Sequence, residues 1–151
     1  MSAVSDVPAI DALDSPASAL SCLYALVGEC IEYPDAELVA SIRDGRLARQ
    51  LEQLLRYLDA RLLEGIDLQP CADPGIELEP LAVEYTRLFD AGPKGTLCTL
   101  NGGLHVGPQM KMMEEAVRFY GHFGLTLAEH QELPDHLTTQ LNFLHFLAYG
   151  E

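Results

Sequence analysis

Residues 46–64 read RLARQLEQLLRYLDARLLE. Leu47, Leu51, Leu54, Leu55, Leu58 and Leu62 recur at steps of three and four, with Arg, Gln and Glu between them. That is the period of an amphipathic helix. The apolar face is wider than a coiled-coil seam, so the stretch predicts a helix lying on a core, not a zipper. Gly65 follows as a natural C-cap. With no strand-like alternation elsewhere, this stretch sets the expected class: an all-α bundle.

Upstream, Ser15-Pro16 supplies a capping hydroxyl and a Pro at the first helical position. Leu20, Leu23, Tyr24, Val27 and Ile31 then form one apolar stripe, stopped at Tyr33-Pro34 because the residue before Pro avoids the α region. Asp35 caps a short helix running to Ile42 and ending near Gly45. Downstream, 66–75 is a loop by composition. Leu78–Phe89 is a helix, with Leu81, Tyr85 and Leu88 on one face. The stretch 91–107, rich in Gly and Pro, reads as a long loop, and unusually long loops tend to be functional. Pro108 opens a helix with Met110, Met113, Val117 and Tyr120 on its apolar face, capped near Gly124. A last helix starts at Pro134, with Asp135 in its first turn, and buries Leu137, Leu141, Leu144 and Leu147. About six helices in one domain over 15–151 are expected, behind a disordered lead-in over 1–14.

The chain has 151 residues, an apolar fraction of 48% and a formal net charge of −14. That charge disfavours nucleic acid and anionic membrane and suits a basic peptide or a cationic protein segment. No apolar run is long enough to span a bilayer, and the N-terminal residues lack the basic and apolar regions of a secretory signal. The cytoplasm is the expected compartment. Cys22 and Cys30 fall within a helical pattern and read as small buried hydrophobes. Cys98 has only Lys94 nearby to activate it and reads as an inert thiol.

The histidines, His105, His122, His130, His136 and His145, fit no zinc spacing and no H-E-x-x-H pattern. The segment Pro93–Thr96 mimics only the tail of a phosphate-binding loop. No metal, cofactor or catalytic residue is expected. Glu84 either takes an arginine from a partner in a bidentate contact or pairs with Arg87 one turn on. Asp135 suits the positive end of a helix, and His136 a polar position at a helix start. Taken together, the residues describe an acidic helical bundle with an apolar and acidic surface, which favours peptide binding over catalysis.

Three segments carry a family resemblance: E-Y-T-R-L-F-D-A-G-P at 84–93, F-Y-G-H-F-G-L at 119–125 and E-L-P-D-H-L-T-T-Q-L-N-F-L at 132–144. In this order they resemble the TorD/DmsD/NarJ family of molybdoenzyme maturation chaperones. The resemblance implies a cytoplasmic all-helical chaperone, not an enzyme, with no cofactor of its own. Its partner would be the catalytic subunit of a molybdopterin oxidoreductase, held by its N-terminal leader, often a twin-arginine signal, until the cofactor is inserted. By position, Tyr85, Leu88, Phe89 and Gly92 match the family's aromatic-x-x-L-F…G segment, and Asp135 and His136 match its P-D-H segment. With Glu84 they form the expected peptide-binding set. The loop and Met-rich helix resemble those of chaperones for dimethyl-sulfide, ethylbenzene, selenate or chlorate enzymes. Two departures stand out. The loop KGTLCTLNGGLHVG lacks the family's Pro-rich, aromatic character. Family members also continue with further C-terminal helices, so the last helix is expected to be covered either by such helices or by a domain-swapped second copy. The alternatives are a factor binding guanine nucleotide or working chemically through Asp135 and His136, and a purely structural dimerising protein.

Overall fold

Helix α1, Pro16–Ile31, is the central element, and its ends follow from the residues that flank them. The Ser15 hydroxyl accepts the Ser18 N–H at 3.2 Å, and Ser18 Oγ accepts the Ser15 N–H at 3.1 Å, satisfying two otherwise orphaned donors. Pro16 sits at the first helical position, and Glu32 turns extended ahead of Tyr33-Pro34. Ser15→Ala should therefore cost about 1 kcal/mol of stability, read as a lower midpoint in urea, whereas Ser15→Asp should cost almost nothing.

The computed structural model describes residues 13–90, 96–127 and 132–150. Among them lie seven α-helical segments and no strand. After α1 come α2 (Ala36–Arg43), α3 (Arg46–Asp59), α4 (Leu78–Tyr85), α5 (Gly103–Val106), α6 (Gln109–His122) and α7 (Leu137–Tyr149). The all-α expectation holds. The helix not anticipated is α5, a single turn inside the expected loop.

The core lies where α1 and α2 pack on α3: Ala19, Leu26, Leu38, Ile42, Leu47 and Leu54 are buried together, with Leu13. Disorder over 1–12 falls outside the described residues, but Leu13 belongs to the packed core. In α1 the fully buried residues are Ala19 and Leu26, beside the expected stripe. The reason is that α1 is covered twice, by α3 and by α7. Helix α7 runs antiparallel to it, with Ser21 Oγ 2.8 Å from His145 Nδ1 near one end and Gly28 facing Leu141 and Asn142 near the other.

The leucine stripe behaves as expected at Leu47 and Leu54 but not at Leu62, which is exposed. Helix α3 stops at Asp59, whose carboxylate accepts the Arg61 N–H at 2.9 Å and turns the chain into a 3₁₀ segment, Ala60–Leu63. The 66–75 loop also contains a 3₁₀ turn, Gln69–Ala72, which presses Cys71 on the core. Burial pushes the Cys30 thiol up to about 12, with smaller pushes from Cys71 and Glu29. It stays protonated and unreactive.

Two expected faces are less covered than anticipated. Of Met110, Met113, Val117 and Tyr120 on α6, only Tyr120 is buried, while Met110 and Val117 are exposed. On α7 the buried residues are Thr138 and Phe143, and Leu144 is exposed. The burial on α7 follows α1 on one side and an aromatic cluster with α6 on another. Phe143 lies 4.7 Å from Tyr120 and 5.6 Å from both Phe119 and Phe123, ring centre to ring centre.

Candidate functional site: an aromatic cavity with an acidic rim

The helix starting at Leu78 does not keep one geometry to Phe89. It is α-helical to Tyr85 and widens to a π turn over Thr86–Asp90. Such turns interrupt an otherwise regular ladder and are frequent at functional sites. Here the turn brings the Phe89 ring 5.0 Å from the Tyr85 ring, and Tyr33 closes edge-on against Tyr85 at 5.4 Å. The Tyr85 hydroxyl donates to the Ile31 carbonyl at 2.9 Å, tying this trio to the end of α1. The π turn is held from the other side by the Cys98 N–H, which donates to the Leu88 carbonyl at 2.9 Å.

The second half of the site is the entry to α7. The expectation that Pro134 and Asp135 sit in the first helical turn needs correction. They form a turn ahead of the helix, and His136 is its N-cap. The physical reason is a competition for Asp135. Its carboxylate accepts Asn101 Nδ2 at 3.0 Å, the Gly103 N–H at 3.1 Å and Gln109 Nε2 at 3.2 Å, all from the preceding loop, α5 and α6. The helix amides are served instead by His136, whose Nδ1 accepts the Thr138 N–H at 3.3 Å. With Nδ1 accepting, the neutral ring carries its proton on Nε2. Asn101 and His136 pair as an antiparallel bridge, and the Leu137 N–H donates to the Leu100 carbonyl at 2.9 Å.

Between these halves lies an open cavity of about 880 Å³. Tyr85, Phe89, Tyr120, Phe143 and Phe146 give it an aromatic floor, and Glu32, Asp90 and Glu132 stand on its wall. No Lys or Arg is among the described residues lining it. The Tyr85 phenol registers this field: burial raises its pKa first, and Glu132, Asp90 and Glu32 each raise it further. The Tyr120 phenol is likewise pushed up, by burial and then by Asp135. Both remain protonated donors near neutral pH.

Of the residues expected to bind peptide, Tyr85, Phe89 and His136 face one cavity although they are distant in sequence. Glu84 is exposed and pairs with Arg87 at 2.7 Å. Leu88 contributes its carbonyl to the loop contact. Asp135 is 1% exposed, with its carboxylate turned to the loop. Gly92 lies outside the described residues. Sequence reasoning expected an acidic surface but missed that Glu32, Asp90 and Glu132 supply it, and it missed Tyr33 and the role of Asn101-Gly102-Gly103. Gly103 was readable only as part of a Gly-rich loop. A Cβ there would lie 2.6 Å from Gln109 Cα and 2.9 Å from Asp135 Oδ2, so the close approach demands glycine.

Such a cavity can take an extended segment that is cationic at one end and apolar along its length. Among the described residues no group of three or more His, Cys, Asp or Glu is placed to hold a metal. Among the same residues no helix is long and apolar enough to cross a membrane.

The chain resembles several known proteins. The family model of the nitrate reductase delta subunit matches residues 44–151. The chain is 30% identical over 152 residues to the perchlorate reductase assembly chaperone protein of Dechloromonas aromatica (strain RCB), covering 97% of this chain and 67% of that one. It is 31% identical over 104 residues to the chlorate reductase assembly chaperone protein of Ideonella dechloratans, with 67% and 54% covered. It is also 31% identical over 125 residues to the selenate reductase assembly chaperone protein of Thauera selenatis, with 80% and 61% covered. The chain thus spans between 54% and 67% of the length of these relatives. Among solved structures, a "putative redox enzyme maturation protein" from Archaeoglobus fulgidus superposes with a TM-score of 0.55 at 25% identity, covering 86% of this chain and 72% of that one.

Proposed function

The chain belongs to the nitrate reductase delta subunit family, and from that premise we propose that it is a cytoplasmic chaperone for the catalytic subunit of a molybdopterin oxidoreductase. It binds that subunit's N-terminal leader and keeps it from export while the cofactor is inserted. It carries out no covalent chemistry itself. The relatives named as assembly chaperones for perchlorate, chlorate and selenate reductases support the class of partner.

The observation that carries the reading is the cavity. A twin-arginine leader presents two guanidinium groups followed by an apolar run. Guanidinium suits a wall of carboxylates near aromatic faces, and the apolar run suits the floor formed by Phe89, Phe143 and Phe146. His136 would offer its Nε2–H to a backbone carbonyl of the peptide. Glu84 and Leu88 act through the segment that presents Tyr85 and Phe89.

The reading is tested by calorimetric titration with a synthetic peptide of two adjacent arginines followed by an apolar stretch. Phe89→Ala should weaken binding about tenfold, the loss typical of one buried aromatic anchor, while circular dichroism stays helical. Equal binding by Phe89→Ala and the parent would mean that the peptide sits elsewhere.

A further inference from the structure

We propose that Asp135 is a positioning residue for the cavity and not a ligand for the peptide: its buried carboxylate holds the Leu100–Gly103 wall against the entry of α7. The inference rests on the leader-binding reading and deepens it by separating the residues that touch the peptide from the one that shapes the site.

Three elements converge on this side chain: the loop through Asn101, α5 through the Gly103 N–H, and α6 through Gln109. The backbone of Asp135 is engaged as well. Its carbonyl accepts the Gly102 N–H at 2.8 Å and Gln140 Nε2 at 2.8 Å. Gly102 and Gly103 leave the room this needs, since a Cβ on Gly102 would lie 3.1 Å from Gln140 Nε2. Leu100, Asn101 and His136 line the cavity, and Asp135 does not. An arginine drawn to the carboxylate would compete with three N–H donors already bonded to it, and displacing the Gly103 N–H would leave that donor buried and unpaired.

The two oxygens are used differently, and this gives the test. Asn101 bonds Oδ1, whereas Gly103 and Gln109 both bond Oδ2. In Asp135→Asn, an amide nitrogen at the Oδ1 position would meet the Asn101 amide nitrogen, donor against donor. Adding Asn101→Asp reverses that contact: the amide introduced by D135N then donates to the carboxylate introduced by N101D, and its oxygen still serves Gly103 and Gln109. The exchanged pair keeps the clamp while removing the carboxylate from position 135.

Amide hydrogen exchange at Gly102, Gly103 and Leu137 reads the clamp, and titration with the same arginine-containing peptide reads the cavity, both on the full chain. For D135N we expect exchange at Gly103 about tenfold faster and peptide binding about tenfold weaker. For the N101D/D135N pair, exchange at Gly103 should return to within about threefold of the parent. Weaker binding by D135N with unchanged exchange overturns the proposal. So does a pair whose exchange stays as fast as that of D135N, because the Asn101 contact would then not be what holds the loop. Should D135N fail to fold, Gln109→Leu removes one donor and should shift both readouts about threefold together; a shift in binding alone is the opposing result. If the parent chain does not bind the peptide, the leader reading falls. Asp135 is then judged by exchange and by the methyl shifts of Leu100 and Thr138, and no change in D135N sinks it.

Discussion

Phe143→Ala should lower the free energy of unfolding by about 3–5 kcal/mol, the largest stability effect expected of any residue that also faces the cavity. Its ring is 9% exposed and packs on Tyr120, Phe119 and Phe123. Edge-to-face and tilted ring pairs add to the area they bury. Truncation leaves a hole that α6 cannot easily fill, because Tyr120 is held by its hydroxyl, which donates to the Pro134 carbonyl at 2.8 Å. Helix α7 keeps its seat on α1 through Ser21 and His145, so the loss should appear as a lower urea midpoint with an unchanged slope, not as a molten state. Phe143→Leu keeps most of the volume and should cost less than half as much. A loss below about 1 kcal/mol for the alanine variant would mean that the aromatic cluster contributes little to packing.

The contrast between Phe143 and the leucines around it shows what the sequence could and could not reveal. Helical period and capping residues located α1, α2, α3, α6 and α7 to within a few residues, because both are local properties. Which face of α7 is buried is not local. The leucines at 137, 141, 144 and 147 look like a stripe, yet the buried ring is Phe143, since α1 and α6 approach from two sides. The same holds at the site. Tyr85, Phe89 and His136 were legible through a family resemblance, and the cavity does join them. The true setting of Asp135 was not legible, because its partners Asn101, Gly103 and Gln109 are 26 to 34 residues away. Nothing in their spacing marks a hydrogen-bond cluster. The π turn at Thr86–Asp90 was equally hidden, since its sequence is as compatible with an ordinary α-helix.

Reversing Glu32, Asp90 and Glu132 together to Lys should weaken the arginine-containing peptide by roughly a hundredfold at low salt. Each reversal shifts the interaction with a nearby guanidinium by on the order of 1 kcal/mol across a partly solvated gap, and all three carboxylates line the one cavity. Because the side chains are exposed, the difference should shrink as salt rises and the screening length falls below about 10 Å. Net charge alone could mimic part of this in a chain at −14. Reversing Glu64, Glu79 and Glu114 changes net charge by the same amount away from the cavity and should cost less than threefold. Changing both arginines of the peptide to glutamine should weaken binding to the parent but hardly further to the cavity variant, the non-additivity expected of groups in direct contact. If the distant triple variant loses as much affinity as the cavity triple, the acidic wall attracts the leader only through the overall field, and recognition of arginine must lie elsewhere.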